Sequence, residues 1–190
     1  AALLNEQMAA VERAREAVRE QFELSAALRE SFLRQIFESS NVTRWPQVRI
    51  SDFAKTCSGA TPPRDMPELY GGEIPWVKTG ELHDSFIIKS AENVTQAALE
   101  VASLPLLPPS TLLVAMYGQG KTRGRTGILG MTATTNQACF AILPNEKVLD
   151  SKYLQFWFMH NYRRLREETE FRGGNQPNLN GIFLRQQQVP

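Results

Sequence analysis

The sequence predicts an α+β fold: a long N-terminal helix of coiled-coil type, followed by a globular mixed α/β domain built on a twisted, mostly antiparallel β-sheet. Three observations carry this. Residues 2–39 contain no Gly or Pro and are rich in Ala, Leu, Glu, Gln and Arg, which is a strong helix composition. From Trp45-Pro46 onward the chain changes to short apolar runs punctuated by Gly, Pro and Asn, the pattern of short strands and turns. The third observation is the stretch Thr111–Leu143, which reads as strand, basic glycine-punctuated loop, strand. Together they divide the chain into a helix over 1–44 and a globular domain over 45–190.

Within the helix, apolar residues recur at alternating spacings of four and three at Leu4, Met8, Val11, Val18, Phe22, Phe32 and Ile36. Arg15, Ser25 and Arg29 interrupt the same heptad phase, so the coiled-coil pattern is a broken one. At 1.5 Å per residue the helix extends about 55 Å, too long to cover one small domain, and its stripe is expected to pack against another helix. Ser39 to Thr43 is a polar break.

In the globular part, Val48-Arg49-Ile50 with Phe53-Ala54 is expected to form a first strand. Ser58 to Arg64 is a loop carrying one cation and two hydroxyls, and Tyr70-Gly71-Gly72 is a turn. Ile74 to Leu82 reads as a short strand ending in a polar turn with Lys78 and Thr79, and Ile87-Ile88 as another strand. Asn93 to Val101 suggests a short helix capped by Asn93 or Thr95. After the central hairpin, Asp150 or Ser151 can cap an amphipathic helix running to about Glu170, with Tyr153, Leu154, Trp157, Phe158, Tyr162 and Leu165 as its core face. Arg172 to Asn180 is a second polar, acid-free loop, and Ile182-Phe183-Leu184 leads to a last short strand.

The hairpin loop holds Lys121, Arg123 and Arg125, while no Asp or Glu occurs from Met116 to Asn145. Its tip therefore has a local positive field that the net charge of +1 conceals. Charge is near balance elsewhere too: residues 1–45 carry six Lys/Arg against seven Asp/Glu, and 46–190 carry fifteen against thirteen. Any nucleic-acid footprint is thus a local patch. One reading of Ala115 to Thr122 is a phosphate-cradling P-loop, which requires a helix directly after Lys121-Thr122. Gly124, Gly127 and Gly130 at three-residue spacing argue against that helix, because each interior Gly costs about 1 kcal/mol. The other reading is a DNA-contacting loop, in which an Arg fork bonds guanine, Lys and backbone amides grip phosphate, and Gln119, Asn136 and Gln137 suit adenine edges.

Enzyme signatures are weak. His83 and His160 have no Cys or carboxylate at metal spacing, and Cys57 and Cys139 lie too far apart for a metal or disulfide motif. They are expected to be reduced core thiols in a cytoplasmic protein. No signal peptide and no apolar run long enough for a membrane span is visible. A binding module is the expectation, with a P-loop nucleotide-binding protein and a coiled-coil protein-interaction scaffold as alternatives.

Several stretches, taken together, resemble the specificity (S) subunit of type I restriction-modification enzymes. They are Gly59-Ala-Thr-Pro-Pro-Arg64, Gly72 to Leu82 (GEIPWVKTGEL), Leu113 to Gly120 with Arg123-Gly124, Thr135-Asn-Gln-Ala138, and Asn178-Leu-Asn180. Their order matches one target recognition domain over nearly all of 45–190, and the preceding helix resembles the family's spacer helix. The resemblance implies a non-catalytic reader of double-stranded DNA that directs partner subunits to a bipartite target. This chain would bind no cofactor itself. Modification (methyltransferase) subunits would bring S-adenosylmethionine, and a restriction/translocase subunit ATP and Mg. The family carries two recognition domains separated by antiparallel helices, whereas this sequence holds one domain and one helix, so the helix is expected to meet a second copy or a second half of the S subunit. On this reading Lys121, Arg123 and Arg125, with Tyr117 and Gln119, enter or flank the major groove. Lys78, Thr79, Arg64 and the Asn175–Asn180 loop, through Asn175, Gln176 and Asn178, add backbone or base contacts.

Overall fold

The computed structural model of the chain describes residues 2–118, 120–145, 147–148, 150–170 and 178–190. It forms two compact units, Ala1–Arg44 and Trp45–Pro190.

The first unit is helix α1, Ala2–Phe37, closed by a 3-10 turn at Val42–Arg44. With no Gly or Pro inside it, nothing breaks the helix before Ser39. There the hydroxyl donates to the Ile36 carbonyl at 2.8 Å and accepts from the Val42 amide at 3.3 Å, and such local bonds compete with continuation of the helix. Leu33 and Phe37 are buried, whereas Leu4, Met8, Val11, Val18, Phe22, Phe32 and Ile36 are 50–76% exposed. The heptad stripe thus lies open along most of α1.

In the second unit the elements follow as β1 (Val48–Arg49), α2 (Ile50–Phe53), β2 (Thr56–Ser58), β3 (Tyr70–Val77), β4 (Ser85–Ile87), β5 (Asn93–Val94), α3 (Gln96–Val101), β6 (Leu112–Ala115), β7 (Thr126–Leu129), β8 (Thr134–Thr135), β9 (Cys139–Ile142), α4 (Ser151–His160), α5 (Tyr162–Glu170), α6 (Gly181–Arg185) and β10 (Gln188–Val189). A five-stranded sheet has the order β2-β9-β6-β7-β4, a three-stranded sheet the order β5-β3-β8, and β1 pairs with β10. Pairing is antiparallel except for β3 with β8 and β4 with β7.

Every residue of β6, β7 and β9 is buried, which is why these strands read as unbroken apolar runs rather than alternating ones. Leu113, Ala115, Leu129, Cys139 and Ala141 face one cluster with Val77, Leu82, Ile87 and Leu107. On the β6–β7 surface lies α4, whose Leu154, Trp157 and Phe158 are buried. A separate cluster of Leu69, Trp76, Val94, Ala98 and Leu104 lies under the three-stranded sheet.

The structure departs from the sequence expectations at four places. Ile50–Phe53 is one helical turn rather than strand, with the Ala54 amide bonded to the Ile50 carbonyl at 3.0 Å. Within 93–101, Asn93 and Val94 pair with β3, and the helix starts only at Gln96. The helix expected to run from 151 to 170 is two, Ser151–His160 and Tyr162–Glu170, parted at Asn161, whose side-chain amide donates to the Trp157 carbonyl at 2.9 Å. Finally, Tyr70-Gly71-Gly72, expected as a turn, opens strand β3, whose register against β5 shifts between Tyr70 and Ile74. Ile182-Phe183-Leu184 lies in α6, capped by Asn180 Oδ1 accepting from the Phe183 amide at 2.8 Å, and leads to the expected last short strand, β10.

Candidate nucleic-acid interface

Strand direction decides what shares an edge of the five-stranded sheet. β6 and β2 end, and β9, β7 and β4 begin, at the same rim, as their registers require: Ala115 opposite Cys139, Ser58 opposite Phe140, Val114 opposite Thr126, and Ser85 beside Gly127. Backbone bonds then tie further segments to it. The Asn136 amide donates to the Val77 carbonyl at 3.1 Å, Met116 to Ala138 at 2.8 Å, and Leu179 to Met116 at 3.1 Å. Loop 59–64 joins through the Ala60 amide, bonded to the Thr135 carbonyl at 3.1 Å, and through the Thr61 hydroxyl, which donates to Gln137 Oε1. Gly59 is required there, since a Cβ would run into the Thr135 carbonyl oxygen.

The hairpin loop is held from below by α5. The Tyr162 hydroxyl donates to the Lys121 carbonyl at 2.7 Å, and Arg166 donates to the carbonyls of Arg123 at 2.8 Å and Gly120 at 2.9 Å. The guanidiniums of Arg125 and Arg166 each lie 5.2 Å from the Tyr162 ring centre. Gly124 has φ +87° and would bring a Cβ to 3.2 Å from that ring, so glycine answers both the backbone conformation and the close approach.

Beside the hairpin, the Arg64 guanidinium stacks 4.4 Å from the Tyr70 ring centre and 5.2 Å from that of Trp76. Its Nη1 donates to Glu92 Oε1 at 2.5 Å, and Lys78 Nζ donates to Glu92 Oε2 at 2.8 Å. Arg64 first, then Lys78, holds the Glu92 carboxyl down to about 2. Glu81 fixes the Lys78 turn, accepting from the Lys78 amide at 2.9 Å and the Ala91 amide at 2.8 Å.

The model of the type I restriction modification DNA specificity domain matches residues 43–190. The chain belongs to this family. It is 29% identical over 154 residues to the MjaIX specificity subunit of Methanocaldococcus jannaschii, covering 77% of this chain and 34% of that subunit. Its fold resembles the HsdS subunit from Thermoanaerobacter tengcongensis (TM-score 0.59, 16% identity, 97% of this chain and 42% of that one). It also resembles the S subunit from M. genitalium (TM-score 0.63, 12% identity, 92% and 44%). The chain therefore spans 34–44% of the length of these relatives.

All five stretches that carry the family resemblance reach the rim of the specificity domain, but their side chains divide into two kinds. Exposed or half-exposed are Lys121, Tyr117, Lys78, Thr79, Arg64 and Asn178. Two further expected groove residues are each paired with an acid. Arg123 is 3% exposed and paired with Glu170 at 3.0 Å, so its guanidinium braces the loop against α5. Arg125 is tied to Asp84, whose carboxylate also accepts from the Thr126 amide and hydroxyl, both at 3.0 Å. Gln119, Asn175 and Gln176 lie outside the described residues. The Asn178-Leu179-Asn180 motif is largely architectural, with Leu179 fully buried and Asn180 capping α6.

Lys121-Thr122 is followed by turns and then β7, so the helix a P-loop requires is missing and that alternative fails. Among the described residues no three His, Cys, Asp or Glu side chains gather as metal ligands, and no helix is long and apolar enough to cross a membrane. Sequence reasoning missed Asp84, Glu92, Arg166 and Glu170, and assigned Tyr162 to a core face rather than to the hairpin loop it holds. All five lie far along the chain from the cations or carbonyls they hold; Asp84 alone stands out by a left-handed backbone, φ 57°, which no sequence pattern reveals.

Proposed function

We propose that this chain recognises double-stranded DNA as part of a type I specificity subunit, and that the sheet rim is the surface that meets the duplex. The observation that carries this is the convergence on one edge of five segments scattered from Gly59 to Asn180, which presents Lys121, Tyr117, Lys78, Thr79, Arg64 and Asn178 together. Lys121 and Lys78 suit phosphate as compact charges, and Arg64 suits either a phosphate or a guanine edge. Arg123 and Arg125 act by shaping the loop. The chain carries no reaction of its own. Modification subunits supply methyl transfer with S-adenosylmethionine, and restriction/translocase subunits supply ATP- and Mg-dependent steps, in the cytoplasm. The open stripe of α1 receives a helix from a second copy or from the other half of the subunit.

Titrating labelled duplex into the chain over a salt series tests the rim. The Lys121→Ala, Lys78→Ala and Arg64→Ala triple variant is expected to bind more weakly, with the slope of log K against log salt flatter by about 0.9 for each phosphate left without its cation. Unchanged affinity and slope would refute the rim; a correctly folded wild type that bound no DNA at all would favour a protein-interaction scaffold.

A further inference from the structure

Two of the cations on the rim, Arg64 and Lys78, share one acid. Glu92 spans Arg64 Nη1 at 2.5 Å, Arg64 Nη2 at 3.3 Å and Lys78 Nζ at 2.8 Å. Both cations lie over the same aromatic shelf, Arg64 above Tyr70 and Trp76 and Lys78 5.6 Å from the Trp76 ring centre. A guanidinium fork and an ammonium converging on one two-oxygen anion is also the donor set that grips a nucleic-acid phosphate. The carboxylate is not sealed in: Glu92 keeps a quarter of its side chain exposed, Lys78 about a third and Arg64 more than half. Its position is set by backbone, since the Glu92 carbonyl accepts from the Trp76 amide at 2.9 Å and from the Ser90 hydroxyl at 2.8 Å. The side chain is therefore free to leave while the residue stays in place.

We infer that Glu92 is a built-in phosphate mimic, occupying the anion position between Arg64 and Lys78 so that a DNA backbone must displace it to bind there. This rests on the rim being the DNA face and assigns Glu92 a role in specificity. Non-specific binding consists of phosphate contacts alone, and the mimic withdraws two cations from that pool. A cognate site, which adds base contacts, can still exchange the carboxylate for a phosphate. Glu92 thereby lowers affinity for every duplex but lowers it most for the wrong one. Because its two cations hold it ionised down to about pH 2, it is an anion under any working condition.

The test uses the whole chain and a labelled duplex of arbitrary sequence, so the cognate target need not be known. Glu92→Gln keeps the side chain's shape while removing the charge and one of its two acceptor oxygens. It is expected to bind the duplex roughly three- to tenfold more tightly, with a salt slope steeper by about 0.9 for each cation released. Glu92→Asp keeps the charge on a shorter arm that cannot span both cations, and should fall between wild type and Glu92→Gln; it decides the matter alone if the Gln variant melts early. Adding Arg64→Ala and Lys78→Ala to Glu92→Gln should abolish the gain. Equal or weaker binding by both Glu92 variants, while the rim triple variant still binds less tightly than wild type, overturns the mimic and leaves the DNA face standing. If the triple variant binds as wild type does, both ideas fall together.

Discussion

Asp84 is the residue on which the most rim geometry depends. Its backbone occupies the left-handed region at φ 57°, a strained choice for a non-glycine residue. Its carboxylate, only 6% exposed, is held by Arg125 and by two groups of Thr126. Gln155 of α4 extends the network by donating to the Thr126 hydroxyl at 3.3 Å. Truncation would strand Arg125, 29% exposed, beside a buried threonine. Asp84→Ala is therefore expected to cost on the order of 3 kcal/mol in chemical denaturation, whereas Asp84→Asn, which can still accept from Thr126, should cost less. At this scale the sequence identified cations well and their partners poorly. Lys121 and Arg123 look alike in a string of letters, yet one is exposed and the other 3% exposed, because the acid that draws Arg123 inward, Glu170, lies on a helix that folds back beneath the loop.

Among the elements, α5 is the one whose role changes most on seeing the fold. By pattern it is the tail of an amphipathic helix; in the structure it is a separate segment whose Tyr162 and Arg166 bond three carbonyls of the hairpin loop. A loop rich in glycine gains definite shape from such an external clamp. Combining Tyr162→Phe with Arg166→Ala should leave the sheet folded while amide hydrogen exchange from Lys121 to Arg125 rises by about an order of magnitude, relative to unchanged exchange in β6 and β9. Protection that stayed uniform would mean the loop holds itself. The helix break at Asn161 that creates α5 was illegible because no Gly or Pro marks it between Ser151 and Glu170. The central strands, by contrast, were plain, since β6 and β7 flank the acid-free basic loop that lies ahead of the helices.

For the whole molecule, the open stripe of α1 predicts association. Seven large apolar side chains of one heptad phase, each at least half exposed, are costly to leave in water at about 25 cal/mol per Å². Sedimentation at micromolar concentration is expected to give at least a dimer, and Val18→Glu with Phe22→Glu to give a monomer whose recognition domain melts as before. The change from one long helix to short strands at Trp45 was legible in composition; the rim was not, because bringing family motifs remote from one another along the chain to one edge took the strand directions. One pairing has a further consequence. β1 and β10 put Val48 opposite Val189, so among the described residues the strand partner of β1 is made only about 140 residues later in the chain. Synthesis runs at about 5–20 residues per second, and through that whole interval Val48 waits while the interior around β6 and β9 can already assemble. Pairing of β1 with β10 is therefore a long-range step, in the slow regime of strands far apart in sequence, and a nascent chain halted just short of Val189 would leave that seam open.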